Sequence, residues 1–175
     1  SLGVQTLDAG LLALLRRRAT PAQTLSALEL IRSRWRGALS VDLLARIPGQ
    51  TAQRLSADLD AVLAFAPEHV SLYSLTREEG TSYDRMILRG QLKEMPAAEQ
   101  DSLWLRCAQL LRRRGYAHYE ISNFALPGSE CLHNLHYWRM DPYLGIGPAA
   151  VSTLPGGATG VVRLSEPRSV RDWLA

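Results

Sequence analysis

The sequence predicts an α/β fold that opens with parallel strand–helix units and passes into a mixed α+β region. Three observations carry this. Apolar segments at residues 2–5, 38–43 and 69–75 are each followed by a helical pattern. They begin roughly 30–36 residues apart, the spacing of βαβ units, whose crossovers join parallel strands and are normally right-handed. After Thr76 this period stops, and aromatic, Gly- and Pro-rich sequence takes over from Tyr116 to Leu154.

Each element has its own local warrant. Leu2–Gln5 reads as the first strand, and Asp8 caps the helix that carries Leu11 to Leu15. Thr20-Pro21 opens a second helix through Leu25, Leu28 and Ile31, a cap followed by proline at the first helical position. Ala38–Leu43 is the second strand. Gly49-Gln50-Thr51 introduces a helix with Leu55, Leu59, Val62, Leu63 and Phe65 on one face, ended by Pro67. His69–Leu75 is the third strand, and Glu78-Glu79-Gly80-Thr81 is a polar turn. Glu94–Arg114 reads as one long amphipathic helix, with Leu103, Cys107, Leu110 and Leu111 inward and Gly115 as its stop. Tyr116–Leu154 has no helical period and reads as short strands around a loop-built site. Pro155-Gly156-Gly157 is a turn, Val161–Leu164 a strand, and Ser169 opens a last helix. Three βα units do not close a barrel, and the first strand begins at residue 1, so the expectation is that further strands precede it. In that case the outer edge of Leu2–Gln5 invites pairing with another chain.

Composition narrows the class. Hydrophobic residues make up 46% and charged residues 21%, values of an ordinary globular protein. No apolar run reaches the length of a transmembrane helix. The two cysteines, Cys107 and Cys131, are far apart in sequence, which argues for a reducing compartment, the cytoplasm. A net charge of +3 does not imply nucleic acid. Arg16–Arg18 and Arg112–Arg114 each follow an apolar helical stretch, where cations complement the helix dipole.

Two groups of residues carry chemistry. Gln5, Asp42 and Tyr73 fall toward the ends of the parallel strands, where loops converge on one face. An amide, a carboxylate and a phenol there suit a polar ligand, or else satisfy loop amides. The second group is Cys131, His133 and His136, with His118 upstream. Zinc would need a fourth ligand at another spacing. Haem needs one or two axial ligands, and Tyr137, Trp138 and Tyr143 suit its apolar ring. The alternative is a structural loop. Gly145 to Ala150 imitates a dinucleotide fingerprint but follows no βαβ strand.

Six motifs in order resemble one family. Ser1–Thr6 is similar to "SLGVQS", Val41–Thr51 to "LDLIYGLPGQT", and His69–Thr81 to "HISLYELTIEEGT". His118–Ala125 matches "HYEISNFA", His133–Trp138 the pattern "HNxxYW", and Tyr143–Pro148 "YLGLGP". The chain thus resembles the radical S-adenosylmethionine (SAM) proteins related to oxygen-independent coproporphyrinogen III oxidase, and its "HNxxYW" motif resembles their haem-chaperone branch.

The resemblance implies the second half of a partial (β/α)6 radical SAM barrel over residues 1–80, and an α+β region with the "HNxxYW" motif over 81–175. It implies SAM contacts from Gln5, Arg17 and Asp42, and a haem site at His133, Asn134, Tyr137 and Trp138, with His133 as the iron ligand and His136 and Cys131 in reserve. It implies haem or porphyrin as ligand and haem proteins as recipients. Two further readings stand beside the chaperone: the oxidase, which decarboxylates coproporphyrinogen propionates, and a remnant that binds nothing. The family's 4Fe–4S cluster uses a cysteine triplet that this sequence lacks. Arg16 and Arg46 replace family glycines, Ala45 replaces a tyrosine and Ala19 a histidine; an arginine at 16 is expected to crowd SAM or distort its loop.

Overall fold

A computed structural model describes residues 1–157 and 160–175. Two compact units divide the chain, Ser1–Glu130 and Cys131–Ala175. Residues 81–130, which the motifs group with the C-terminal region, pack with the first unit.

In the first unit, β1 (Leu2–Gln5), β2 (Ser40–Ala45) and β3 (His69–Ser74) are parallel neighbours. The sheet continues from β3 through two short antiparallel strands, β4 (Ala117–His118) and β5 (Asn123–Ala125), in the order β1-β2-β3-β5-β4. The sheet leaves β1 at one edge. Alternation sets the faces of each strand. Val4, Val41, Leu43, Ala45, Val70, Leu72 and Phe124 are buried in one cluster with side chains from three helices. Those helices are α2 (Pro21–Arg34), α3 (Ala52–Leu63) and α5 (Ala97–Arg113), which supply Leu28, then Leu55, Leu59 and Val62, then Leu103, Cys107 and Leu111.

The caps form as the sequence predicts. Asp8 accepts from the Leu11 amide to open α1 (Ala9–Leu14). Thr20 and Gln23 form a reciprocal capping box, and Thr51 caps α3. Two expectations shift. The long helix starts at Ala97 rather than Glu94, with Pro96 at the cap; proline disfavours helical backbone in the residue before it. The polar turn after β3 leads into a helix that periodicity did not reveal, α4 (Ser82–Leu88), capped by Thr81. The second unit holds α6 (Leu132–Trp138), the antiparallel hairpin β6 (Val151–Pro155) and β7 (Val161–Ser165), and α7 (Val170–Trp173), capped by Ser169. The "HNxxYW" motif is therefore helical, not a loop.

Two polar ties lock the first unit. The Thr6 hydroxyl donates to Asp58 Oδ2 at 2.5 Å, joining the end of β1 to α3. Burial raises the Asp58 carboxyl even though Thr6 and the Leu7 amide stabilise its charge. At the opposite end of the strands, Glu68 Oε2 accepts from the Leu39 amide at 2.7 Å and from Arg32 Nη2 at 2.9 Å. Arg32 also donates to the Phe65 and Ala66 carbonyls. One carboxylate thus ties α2, β2 and β3 together. Burial pushes the Glu68 carboxyl up, but the Leu39 amide and Arg32 pull it below the ordinary value.

A depressed carboxylate contributes stability above its unfolded pKa and loses it as pH falls through the folded one. Glu68→Gln is expected to destabilise the protein by about 1 kcal/mol at pH 7, the size of a partly exposed charge-assisted contact. It should also flatten the loss of stability below the ordinary Glu value of 4.5. Urea unfolding of both proteins at pH 7 and pH 3.5 checks this: the gap between them should narrow at the lower pH.

Candidate functional site

The face of the sheet opposite the helices is polar. The register pairs Gly3 with Asp42, Asp42 with Ser71, and Ser71 with Asn123, so one row crosses four strands. The next row pairs Ser40 with His69. His69 is buried, with Nδ1 2.9 Å from Ser40 Oγ and Nε2 2.8 Å from the Tyr119 hydroxyl. Burial lowers its pKa although Asp42 and Glu120 oppose the shift, so the ring is neutral near pH 7. One nitrogen then donates and the other accepts, and each hydroxyl takes the complementary role. Two acceptor atoms nearby, Asn123 Oδ1 and Glu120 Oε1, are buried without a hydrogen-bond partner. The face closes at His69, which is buried, and opens at Tyr73, which is 43% exposed.

Gln5, Arg17 and Asp42 gather around one glycine. Gly3 is the register partner of Asp42, and its carbonyl accepts from Arg17 Nη2 at 3.1 Å. A Cβ on Gly3 would lie 3.0 Å from Gln5 Nε2 and 3.2 Å from Arg17 Nη2. Asp42 is in the middle of its strand rather than at the end, because β2 runs on to Ala45. Its Oδ2 accepts from Ser1 Oγ at 2.9 Å. An amide, a guanidinium and a carboxylate around one glycine suit a ligand that bears both a carboxylate and hydrogen-bond donors.

Three residues near these strand ends have left-handed backbone: Gln5 at φ 66°, Arg16 at φ 55° and Arg46 at φ 67°. Glycine, which the resemblance expects at 16 and 46, adopts this region without strain. Arg16 also lines a cavity of about 160 Å³ with Leu14, Pro48, Leu75, Tyr83 and Met86. Arg46 donates from Nη2 to Asp101 at 3.2 Å.

In the second unit, α6 sorts the motif by helical spacing. His133 and Tyr137 are four apart and their rings meet edge-on at 4.8 Å; Tyr137 meets Tyr143 the same way at 4.5 Å. Asn134 and Trp138 are also four apart and sit on a different face. Tyr137 and Trp138 are both exposed, at 43% and 53%. His136 Nδ1 lies 2.7 Å from Asp141 Oδ2, a partner that the sequence does not reveal. Cys131 is the N-cap residue of α6. His118 belongs to the first unit, where it stacks on Phe124 at 4.4 Å and bonds the Ile121 carbonyl. The fingerprint-like Gly145 serves local packing, since a Cβ there would fall 2.3 Å from the Val151 carbonyl, and its amide donates to Ser152.

Comparison with known proteins places this geometry. No protein-family model matches the chain. In structure it is similar to coproporphyrinogen III oxidase (HemN) from Escherichia coli, a radical SAM enzyme, with a TM-score of 0.69 over 97% of this chain and 40% of that one, at 15% identity. At that identity the likeness establishes the fold: a parallel strand–helix sheet of the radical SAM kind. Sequence relatives go further. The chain is 38% identical over 91% of its length to the heme chaperone HemW of Synechocystis, covering 39% of that protein. It is 36% identical to HemW of Lactococcus lactis over 89% of its length, covering 41% of that protein. It is also 36% identical over 93% of its length to the mouse mitochondrial radical S-adenosyl methionine domain-containing protein 1, covering 37% of it. Over about nine tenths of its length the chain is thus similar to heme chaperones and to a radical S-adenosyl methionine domain-containing protein. It spans about two fifths of the length of these relatives.

The left-handed arginines yield a prediction. Left-handed backbone costs a non-glycine residue about 1–2 kcal/mol, and glycine returns part of this through the freedom of the unfolded chain. Arg16→Gly is therefore expected to stabilise the protein by about 0.5–1 kcal/mol. Arg46→Gly should gain less, because it also gives up the contact with Asp101. Paired thermal melts of the two variants check the order.

Proposed function

We propose that this chain is the part of a haem chaperone that carries haem as cargo on α6 and contributes the later strands of its SAM site. The carrying observation is the alignment with heme chaperones across nearly the whole chain, together with the exposed histidines and aromatic side chains of α6. Haem asks for an imidazole able to reach iron and for apolar surface to cover the ring. His133 and His136 supply the first, while Leu132, Tyr137 and Trp138 supply the second. The recipients on this reading are haem proteins, and the compartment is the cytoplasm. Among the described residues no helix is long and apolar enough to cross a membrane.

Gln5, Arg17 and Asp42 fit S-adenosylmethionine: the guanidinium suits its carboxylate, and the amide and carboxylate suit its ammonium and ribose hydroxyls. The family's iron–sulfur cluster does not fit this chain's own residues. The sequence has 2 cysteines, too few for the usual three or four thiolate ligands, and burial pushes the Cys107 thiol up to about 11.

Two measurements test the reading. The His133→Ala/His136→Ala double variant is expected to bind hemin at least tenfold more weakly, about 1.4 kcal/mol, with loss of the shifted Soret band. His69→Ala, in the other unit, should leave hemin affinity unchanged. Equal titrations for all three proteins would remove the chaperone assignment. Separately, Gly3→Ala should weaken SAM binding by calorimetry, because its methyl group displaces Gln5 and Arg17 together.

A further inference from the structure

We infer that the iron of the cargo haem is ligated by His136, at one of the two variable positions of the motif, and that Asp141 is its positioning residue. The inference rests on the haem reading above and goes beyond it by choosing between two histidines of one helix. Residues 133 and 136 are three apart on α6 and reach the same side of it, so they compete for one axial position rather than bracket one iron.

The two rings are held differently. His133 is packed edge-on against Tyr137, which is in turn packed against Tyr143. Its ring is thus one member of an aromatic row that suits covering a macrocycle. His136 has its Nδ1 2.7 Å from the Asp141 carboxylate, while its side chain is 63% exposed. A neutral imidazole that donates from Nδ1 has a bare Nε2, the nitrogen that binds iron. Histidines that ligate metals almost always give their other N–H to a carboxylate, a carbonyl or water, which fixes the tautomer, aims the ring and raises its basicity.

The backbone builds this pair. α6 ends in a Schellman turn: the Asp141 amide donates to the His136 carbonyl at 2.9 Å, the Met140 amide donates to the Tyr137 carbonyl at 3.1 Å, and Met140 takes φ 59°. The turn that brings the Asp141 amide to His136 also brings its carboxylate to the same residue's ring. Neighbours complete the face. Leu132, four residues before His136 and 71% exposed, offers apolar surface, and Arg139, three residues after, offers a cation to a propionate.

Hemin titration of the 175-residue chain and three single variants separates the possibilities. His136→Ala is expected to lose at least tenfold in hemin affinity together with the histidine-ligated Soret band, and added imidazole should restore that band. His133→Ala should keep the band and lose less affinity. Asp141→Asn should still bind hemin, but its ferrous iron–histidine stretch, read by resonance Raman, should move to lower frequency, and its haem potential should rise, as the ligand loses basicity. A normal band in His136→Ala with its loss in His133→Ala would overturn the assignment while leaving the chaperone reading intact. An unchanged stretch in Asp141→Asn would overturn the positioning role. Failure of the unmodified chain to bind hemin would sink the haem reading and this inference with it. Far-ultraviolet circular dichroism shows whether each variant keeps its helices, and imidazole rescue of His136→Ala holds only if the rest of the site is intact.

Discussion

The in-register pairing of Ser40–Ala45 with His69–Ser74 governs everything polar in the first unit. It sends Val41, Leu43, Ala45, Val70 and Leu72 to the helix side and Ser40, Asp42, His69, Ser71 and Tyr73 to the other. Slipping that register by one residue would bury Asp42 among leucines and turn Leu43 outward, so hydrophobic burial itself fixes the position of the carboxylate. The same register carries Gly3 and Asn123 into the row. The polar face is thus a by-product of core packing, and its accuracy is as great as that of the core.

Strain collects where those strands end. Left-handed backbone falls at Gln5, the last residue of β1, and at Arg16 and Arg46, just after α1 and β2. Such conformations persist when the surroundings over-determine them. For Gln5 the surroundings are visible: the Thr6 amide donates back to Val4, and the Thr6 hydroxyl is held by Asp58 from α3. The tight turn aims Gln5 at Gly3, next to Arg17. Arg16 and Arg46 differ, since the resemblance leads one to expect glycine there. At these positions an arginine holds the conformation that glycine favours, which carries a cost in stability.

Elements with a period or a cap were legible. Apolar segments at βαβ spacing marked β2 and β3, and Asp8, Thr20, Thr51 and Ser169 marked helix starts, because burial and unsatisfied amides leave their signature in residue type. Two helices escaped for the opposite reason. α6 has no buried residue, so no apolar stripe records it. α4 is seven residues long and begins inside what reads as a turn, where Thr81 serves both as turn residue and as cap. Strand-end position grouped Gln5 with Asp42, but Arg17 joined them only through the resemblance, since spacing along the chain does not encode adjacency across strands. The links between His69 and Tyr119, fifty residues apart, and between His136 and Asp141, set by a left-handed methionine, had no signal that a single sequence carries.

On the proposed reading, the two units would hold their ligands in opposite ways. In the first, polar groups are pinned by a sheet, and the buried acceptors Asn123 Oδ1 and Glu120 Oε1 face no donor. Unpaired buried acceptors are costly, so this face favours a ligand or water that brings donors and suits a cofactor held for long. In the second, α6 exposes Tyr137, Trp138 and both histidines, and buries none of its own residues. A short helix without a buried face supplies a ligand nitrogen and an apolar plane at little cost to the fold and does not enclose what it holds. On the haem reading proposed above, cargo must be released to a recipient, and an open surface permits that transfer where a sealed pocket would oppose it.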